Sequence, residues 1–236
     1  MKAQNSISNS NLLRAAIGFA AYLLLTPALL FISAGTLDWP LAWVYVLMLL
    51  ASTLVSRLIA WKRFPDLLRE RASFIQAEGA KSWDRSLVVI VGLIGPMVTM
   101  VVAGLDQRFG WSVLTPVYGQ YAAAVLVLAG YGLAVWAMSV NRFFSAVARI
   151  QKERGHVVVT AGPYRYLRHP SYAGALVASL ALPFMLDAIW ALIPALVMSA
   201  AIIIRTRLED EMLRQELAGY SEYARGTPCR LMPGLW

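Results

Sequence analysis

The sequence has one cysteine and two histidines among its 236 residues, and only 14% of the residues are charged. A single cysteine excludes an intramolecular disulfide and any metal site built from several thiolates. Two histidines also argue against a histidine-rich metal site, so we expect no metal centre. The charged fraction is well below the roughly 25% of an ordinary soluble domain. Chemistry in this chain must therefore rely on Arg, Glu, Asp, His and aromatic side chains, or on a bound cofactor.

Hydrophobic residues make up 59% of the chain, and several apolar runs are long enough for membrane helices. A spanning helix needs about 20 apolar residues, because the hydrocarbon offers no water to free backbone groups. Four runs qualify: residues 12–34, 41–56, 86–104 and 117–140. The block 171–204 is too long for one span and contains Pro183, Asp187 and Pro194. We interpret it as two short helices that turn around residues 185–190, which gives six spans, with five as the alternative.

The basic residues lie almost entirely on one side of these spans. Segments 1–14, 57–85, 140–170 and 205–236 hold 20 of the 21 Lys and Arg residues, and only Arg108 falls in a connection on the other side. Basic residues near span ends stay cytoplasmic. Six spans place both termini and both long connections on the cytoplasmic side. The net charge of +8 therefore reflects topology rather than a nucleic-acid surface.

The first apolar run could instead be a cleaved signal peptide with a small-residue cleavage site at 33–35. That run is too long for a signal sequence, and the other connections need it to lie on the correct side. We therefore favour an uncleaved span. The sequence predicts one all-α integral membrane domain over residues 1–236, with four N-terminal spans in 1–140. Residues 141–236 then contain the catalytic part: a connection, a helical hairpin, and a C-terminal helix and tail.

Residues 156–174 read HVVVTAGPYRYLRHPSYAG and are unusually dense in His, Arg, Tyr, Gly and Pro. Residues 157–160 are predicted to be extended or a short strand, and Gly162-Pro163 a turn. Pro170 suits the first position of a helix, where its missing N–H costs nothing. Arg168 and His169 then lie at the positive end of that helix, which attracts anions. The alternative is that such residues only fix topology and anchor the chain at the interface.

A second polar segment follows the last apolar block. Arg205 and Glu209 are spaced to share one helix face, while Asp210 and Glu211 point elsewhere. The alternative is a solvated face with weak surface ion pairs. The tail adds Tyr220, Tyr223 and Trp236, which are either interfacial anchors or an aromatic wall for a planar ligand.

These two segments around an apolar hairpin resemble the isoprenylcysteine carboxyl methyltransferase family and its wider relatives among membrane methyltransferases. The resemblance covers the chain from Asn141 onward. It implies that S-adenosylmethionine is held between the connection and the tail, and that a lipophilic acceptor enters from the bilayer. No glycine-rich strand-to-helix turn of a soluble nucleotide-binding domain is evident, so the pocket is expected to be of another kind.

The resemblance also implies the site residues. The expected cofactor contacts are Tyr164, Arg168, His169, Pro170, Tyr172, Gly174, Glu209 and Asp210. Asp210 is a departure, because family members often have two glutamates at this pair. The expected catalytic residues are Arg205, Glu209 and His169. Arg205, or Arg207, would hold a carboxylate acceptor, whereas an amine or thiol acceptor would need His169 or Glu209 as a base.

Two other functions stay open at the level of sequence. One is a membrane reductase of the sterol or enone type that uses NADPH, although such proteins usually have more spans. The other is a non-catalytic membrane scaffold. The expected partners are the lipid bilayer and a lipophilic methyl acceptor, with no nucleic acid and no obligate protein partner. The expected location is the plasma (inner) membrane or an endomembrane.

Overall fold

The computed structural model describes residues 9–67, 79–112, 115–234 and 236, and within these residues the regular structure is helical, without strands. The predicted all-α integral membrane fold is thereby confirmed. Parts of the basic segments 1–14 and 57–85, namely residues 1–8 and 68–78, lie outside the described residues. The main helices are α1 (Asn9–Ala34), α2 (Pro40–Arg63), α3 (Ser82–Phe109), α4 (Val117–Val140), α5 (Pro170–Met185), α6 (Leu192–Glu216) and α7 (Tyr220–Gly226).

Five stretches are long and apolar enough to cross a membrane: α1 to α4, and α6 together with the short turn before it. The fourth predicted span matches α4, while α2 and α3 extend past the predicted apolar runs. α2 begins at Pro40 and ends with Lys62 and Arg63 in its last turn, which suits both helix ends. α3 contains a π-helical segment at Ile90–Ile94 and is capped after Phe109 by Gly110, whose φ of 62° is left-handed.

α5 and α6 form the predicted hairpin, but only α5 is short. α5 has 16 residues, about 24 Å at 1.5 Å per residue. α6 has 25 residues and continues past its apolar part to Glu216. The sequence prediction of two short helices was wrong for α6, because its charged half carries on the same helix beyond the apolar block. Residues 157–160, predicted to be extended or a short strand, lie in a loop.

The turn between α5 and α6 meets the connection between α3 and α4 at one end of the bundle. The Trp190 N–H donates to Asp106 Oδ2 at 3.1 Å, and the Ile189 N–H donates to Ser112 Oγ at 3.0 Å. The Thr115 N–H donates to Asp187 Oδ1 at 2.9 Å. α5 therefore passes from one end of the bundle to the other alongside the longer helices, and the residues predicted for the site lie at the opposite end.

Glycines allow the closest helix contacts. A Cβ on Gly174 of α5 would lie 2.3 Å from the Gly130 carbonyl oxygen of α4, and a Cβ on Gly130 would lie 2.4 Å from that of Gly174. A Cβ on Gly104 of α3 would lie 2.5 Å from the Leu30 oxygen of α1. Small residues at such crossings let membrane helices pack backbone to backbone. The contact between Gly130 and Gly174 holds α5 against α4, and with it the site residues at the N-terminus of α5.

Candidate functional site

A cavity of about 230 Å³, lined by both charged and apolar side chains, lies where α4 ends, α5 begins and the charged half of α6 passes by. The connection 141–169 provides most of one wall, and α6 with the residues that follow it provides another. Six of the residues predicted for the site line this cavity: Tyr164, Arg168, His169, Tyr172, Arg205 and Glu209. The predicted convergence of the connection, the hairpin and the tail is thus a feature of the structure.

The segment before α5 and the tail are joined through their backbones. The Arg168 N–H donates to the Cys229 carbonyl at 3.0 Å, and the His169 N–H donates to the Arg230 carbonyl at 3.0 Å. The Tyr223 hydroxyl donates to the Tyr164 carbonyl at 2.6 Å. Because two segments about 60 residues apart pair in this way, the tail forms one side of the structure around the cavity.

Asp210 anchors the tail and does not line the cavity. Its side chain has no exposed surface and accepts hydrogen bonds from several side chains around it. The donors are Arg168 Nε (2.8 Å), Tyr220 OH (2.8 Å), Arg230 Nε (2.9 Å) and Arg214 Nε (3.2 Å), and His169 Nε2 lies 3.5 Å away. Such a buried carboxylate is stable only when hydrogen-bonded and paired. Asp210 thus ties three elements together.

The Arg168 guanidinium is also occupied with the tail. Its Nη1 donates to the carbonyls of Ala224, Thr227 and Pro228 at 3.3, 2.9 and 2.9 Å. Its Nε and Nη2 donate to Asp210. Arg has five donors in a fixed fork and no acceptor, so this arrangement uses most of its capacity within the protein. Its predicted contact with a cofactor stays a prediction.

Glu209 faces the cavity from α6. The Tyr172 hydroxyl donates to Glu209 Oε2 at 2.6 Å, a short bond typical of an O–H donor to a carboxylate. The Tyr172 ring stacks on the His169 ring with centroids 5.7 Å apart and an interplanar angle of 5°. Glu209 is half-buried, so a cation in the cavity can reach it.

Arg205 lines the cavity one helical turn before Glu209 and pairs with a residue that the sequence did not indicate. Its Nε donates to Asp84 Oδ1 at 2.7 Å and its Nη2 to Asp84 Oδ2 at 3.1 Å. Nη2 also donates to the Ala146 carbonyl at 2.8 Å. Asp84 lies in the first turn of α3 and is fully buried. One signal could have found it: a carboxylate beside an apolar run needs a partner.

His156 also lines the cavity, and sequence reasoning did not single it out. Its ring lies 4.5 Å from the Phe143 ring, and its Nδ1 accepts the Gln151 N–H at 3.3 Å. Burial, followed by the charges of Arg149 and Arg154, lowers the pKa of His156 from 6.5 to about 4. His156 is therefore neutral at pH 7.

Tyr164 is buried and held from two sides. The Asn141 Nδ2 donates to its hydroxyl at 3.0 Å, while its carbonyl accepts from Tyr223. Burial raises the pKa of the Tyr164 hydroxyl, so it stays protonated and can donate.

Besides Asp210, two predicted cofactor contacts lie away from the cavity wall. Pro170 is the first residue of α5 and is buried, and Gly174 makes the contact with Gly130 described above. Both positions support the site through helix geometry. Direct contacts by either residue stay predictions.

The fold and the site thus define an integral membrane protein with a cavity between a connecting segment and a C-terminal tail. Residues 122–215 match the model of the isoprenylcysteine carboxyl methyltransferase (ICMT) family. This match confirms the resemblance seen in the sequence.

Two curated proteins are each 34% identical to part of this chain. Protein-S-isoprenylcysteine O-methyltransferase B of Arabidopsis thaliana is 34% identical over 93 residues, which are 39% of this chain and 47% of that protein. The cobalt-zinc-cadmium resistance protein CzcN of Cupriavidus metallidurans is 34% identical over 144 residues, 59% of this chain and 62% of that protein. The matches thus span less than two thirds of either relative. Among the described residues, no group of three or more His, Cys, Asp or Glu side chains is arranged to hold a metal.

Proposed function

We propose that this protein is a membrane methyltransferase that uses S-adenosylmethionine and acts on a lipophilic acceptor from the bilayer. The observation that carries the proposal is the cavity itself. It combines the Glu209 carboxylate, the Arg205 guanidinium and tyrosine rings, and it lies where the family-matching residues meet the tail. The methyltransferase name of the Arabidopsis relative supports the same reaction class.

The side chains around the cavity fit the chemical groups of the proposed cofactor. S-adenosylmethionine carries a sulfonium and an ammonium cation, a carboxylate and a planar adenine. Glu209 supplies an anionic group for the cations, and Tyr164 and Phe143 supply flat apolar surface for the adenine. Neutral His156 adds a polar ring that costs little to desolvate.

The protein's contribution to the reaction would be positioning and electrostatics. S-adenosylmethionine, when bound, supplies an electrophilic methyl group for direct displacement. Glu209, oriented by the Tyr172 hydroxyl, holds negative charge beside the cationic part of the ligand. Aligning the reacting groups in a fixed geometry can supply about 7–11 kcal/mol of the barrier reduction at best.

An anionic group, a carboxylate, is the methyl acceptor that we propose first. Arg205 lines the cavity, and no described residue accepts a hydrogen bond from its Nη1. A carboxylate is a natural partner for such a guanidinium nitrogen. The Arabidopsis relative is named for S-isoprenylcysteine O-methylation, so a prenylated cysteine carboxylate is the first acceptor to test.

We also infer that the end of the bundle with the cavity faces the cytoplasm. The described basic residues cluster at this end, whereas Arg108 lies at the other end beside Asp106. The positive-inside rule then places the α3–α4 connection and the α5–α6 turn on the opposite side of the membrane.

Methyl transfer can be tested directly in membranes that contain the protein. Tritiated-methyl S-adenosylmethionine is added with N-acetyl-S-farnesylcysteine, phosphatidylethanolamine or a long-chain thiol, and the label is followed into an organic extract. The proposal predicts label in the extract, and alkali-labile label indicates a carboxyl ester, whereas methylated amines and thiols resist alkali. No transfer to any of the three contradicts the proposal, and oxidation of NADPH by the same membranes would favour the reductase.

A further inference from the structure

Asp84 is a fully buried carboxylate in the first turn of α3, far in sequence from the family-matching residues 122–215. Its Oδ1 accepts a hydrogen bond from Arg205 Nε at 2.7 Å, and its Oδ2 accepts one from Arg205 Nη2 at 3.1 Å. Oδ2 also accepts the Ala148 N–H at 2.6 Å. One side chain of the N-terminal spans thus binds both α6 and the connection before α5.

Both partners of Asp84 belong to the cavity wall. Arg205 lines the cavity, and so do Ala146 and Val147 beside the bonded Ala148. The Arg205 Nη2 donates to the Ala146 carbonyl at 2.8 Å, so the ion pair holds this backbone on two sides. The position of one wall therefore depends on a residue that does not itself line the cavity.

The Asp84–Arg205 ion pair is also connected, through Tyr172, to Glu209, the carboxylate that faces the cavity. The Arg205 guanidinium carbon lies 5.3 Å from the centre of the Tyr172 ring, within the range of a cation–π contact. The Tyr172 hydroxyl in turn donates to Glu209. A displaced Arg205 would shift its own charge and loosen the ring that orients Glu209.

A buried ion pair is weak evidence for stability alone, because well-packed apolar residues often replace one without loss. The forked geometry of this pair instead fixes direction: a bidentate Arg–carboxylate contact holds the guanidinium plane. We propose that Asp84 is a positioning residue of the methyl-transfer site, which sets the place of Arg205 and of residues 146–148. This inference rests on the function proposed above.

The test compares Asp84 with Asp106, a second fully buried carboxylate on the same helix at its other end. Asp106 accepts hydrogen bonds from the Ser112 N–H and hydroxyl and from the Trp190 N–H, so it is also held by several partners, but far from the cavity. The variants are Asp84→Asn, Asp84→Glu and Asp106→Asn. Asp84→Glu keeps a buried charge for Arg205 and guards against a variant that fails to fold.

Transfer of tritiated methyl to N-acetyl-S-farnesylcysteine is measured on detergent-purified protein, and kcat/KM is corrected for the folded fraction. We expect both Asp84 variants to lose about 10²-fold in kcat/KM, the scale of a small misplacement of reacting groups. Asp106→Asn should keep kcat/KM within about threefold even where its Tm falls, because changes at distant sites act independently.

A second readout separates positioning from simple loss of stability. In an Arg205→Gln background, Asp84→Asn should cause little further loss of kcat/KM, because an asparagine oxygen can still accept the Ala148 N–H and the ion pair with Arg205 is already absent. Full additivity of the two losses, or equal losses in Asp106→Asn, overturns the inference. An active wild type with fully active Asp84 variants overturns only the role of Asp84. An inactive wild type overturns the proposed function, and the role of Asp84 with it.

Discussion

At the scale of single residues, the neighbours Glu209 and Asp210 have different surroundings. Successive residues on a helix point about 100° apart, and here Glu209 faces the cavity while Asp210 points into the tail. The sequence indicated the acidic pair and the departure from two glutamates. It could not show that Asp210 is fully buried, because its partners Arg168 and Arg230 lie 42 and 20 residues away.

Asp210→Asn should destabilise the protein strongly. The change leaves buried guanidinium groups without their carboxylate, and breaking such a cluster costs about 3–5 kcal/mol. We expect a lower Tm in detergent and faster proteolysis of residues after Gly219. Glu211→Gln, at the adjacent exposed position, is the control and should leave both unchanged. An Asp210→Asn protein with the Tm of the wild type would contradict this role.

His156 should make stability fall in mild acid. Its pKa is about 4 in the folded protein and 6.5 ordinarily, so the unfolded chain takes up a proton first as the pH drops. The contribution of neutral His156 is therefore fully present above pH 6.5 and is lost as the pH falls from about 6.5 to about 4. His156→Gln should reduce the loss of Tm in this range. Near pH 8, the Tm of both proteins should not depend on pH. An identical acid loss in both proteins would refute the assignment.

At the scale of helices, composition and the placement of charge predicted most of the fold. The apolar runs predicted α1 to α4, and Pro183, Asp187 and Pro194 indicated a hairpin whose turn falls at residues 186–191. The length of α6 was missed because its polar half carries no apolar signal. The partners of Asp84 and Asp210 were missed because they depend on how separate helices pack, which residue spacing within one segment does not encode.

The contact between α4 and α5 can be tested with a matched pair of glycines. Gly174→Ala places a Cβ 2.3 Å from the Gly130 carbonyl, so the helices must separate, at a cost of about 1–3 kcal/mol. Gly132→Ala, on α4, meets no atom within 4 Å and should be neutral or slightly stabilising. Thermal unfolding in detergent measures both. Equal Tm values for the two variants would show that the close contact does not limit stability.

At the scale of the whole molecule, the N-terminal spans are part of the site's framework. α3 reaches the cavity end through Asp84 and the opposite end through Asp106, and α1 packs on α3 at Gly104. α4 packs closely against α5 where Gly130 meets Gly174, so the orientation of the segment before α5 depends on the packing of the bundle. The C-terminal half alone, which resembles known methyltransferases, lacks the carboxylate that holds Arg205.

Binding of S-adenosylmethionine to purified wild-type protein, measured by titration calorimetry, tests the central claim most directly. We expect one binding site per chain. Glu209→Gln should weaken binding about 10- to 100-fold, since a hydrogen bond to a charged group contributes about 1.5–3 kcal/mol. Glu211→Gln should bind as the wild type does. Folded wild-type protein that gives no heat with S-adenosylmethionine, but binds NADPH, would contradict the account.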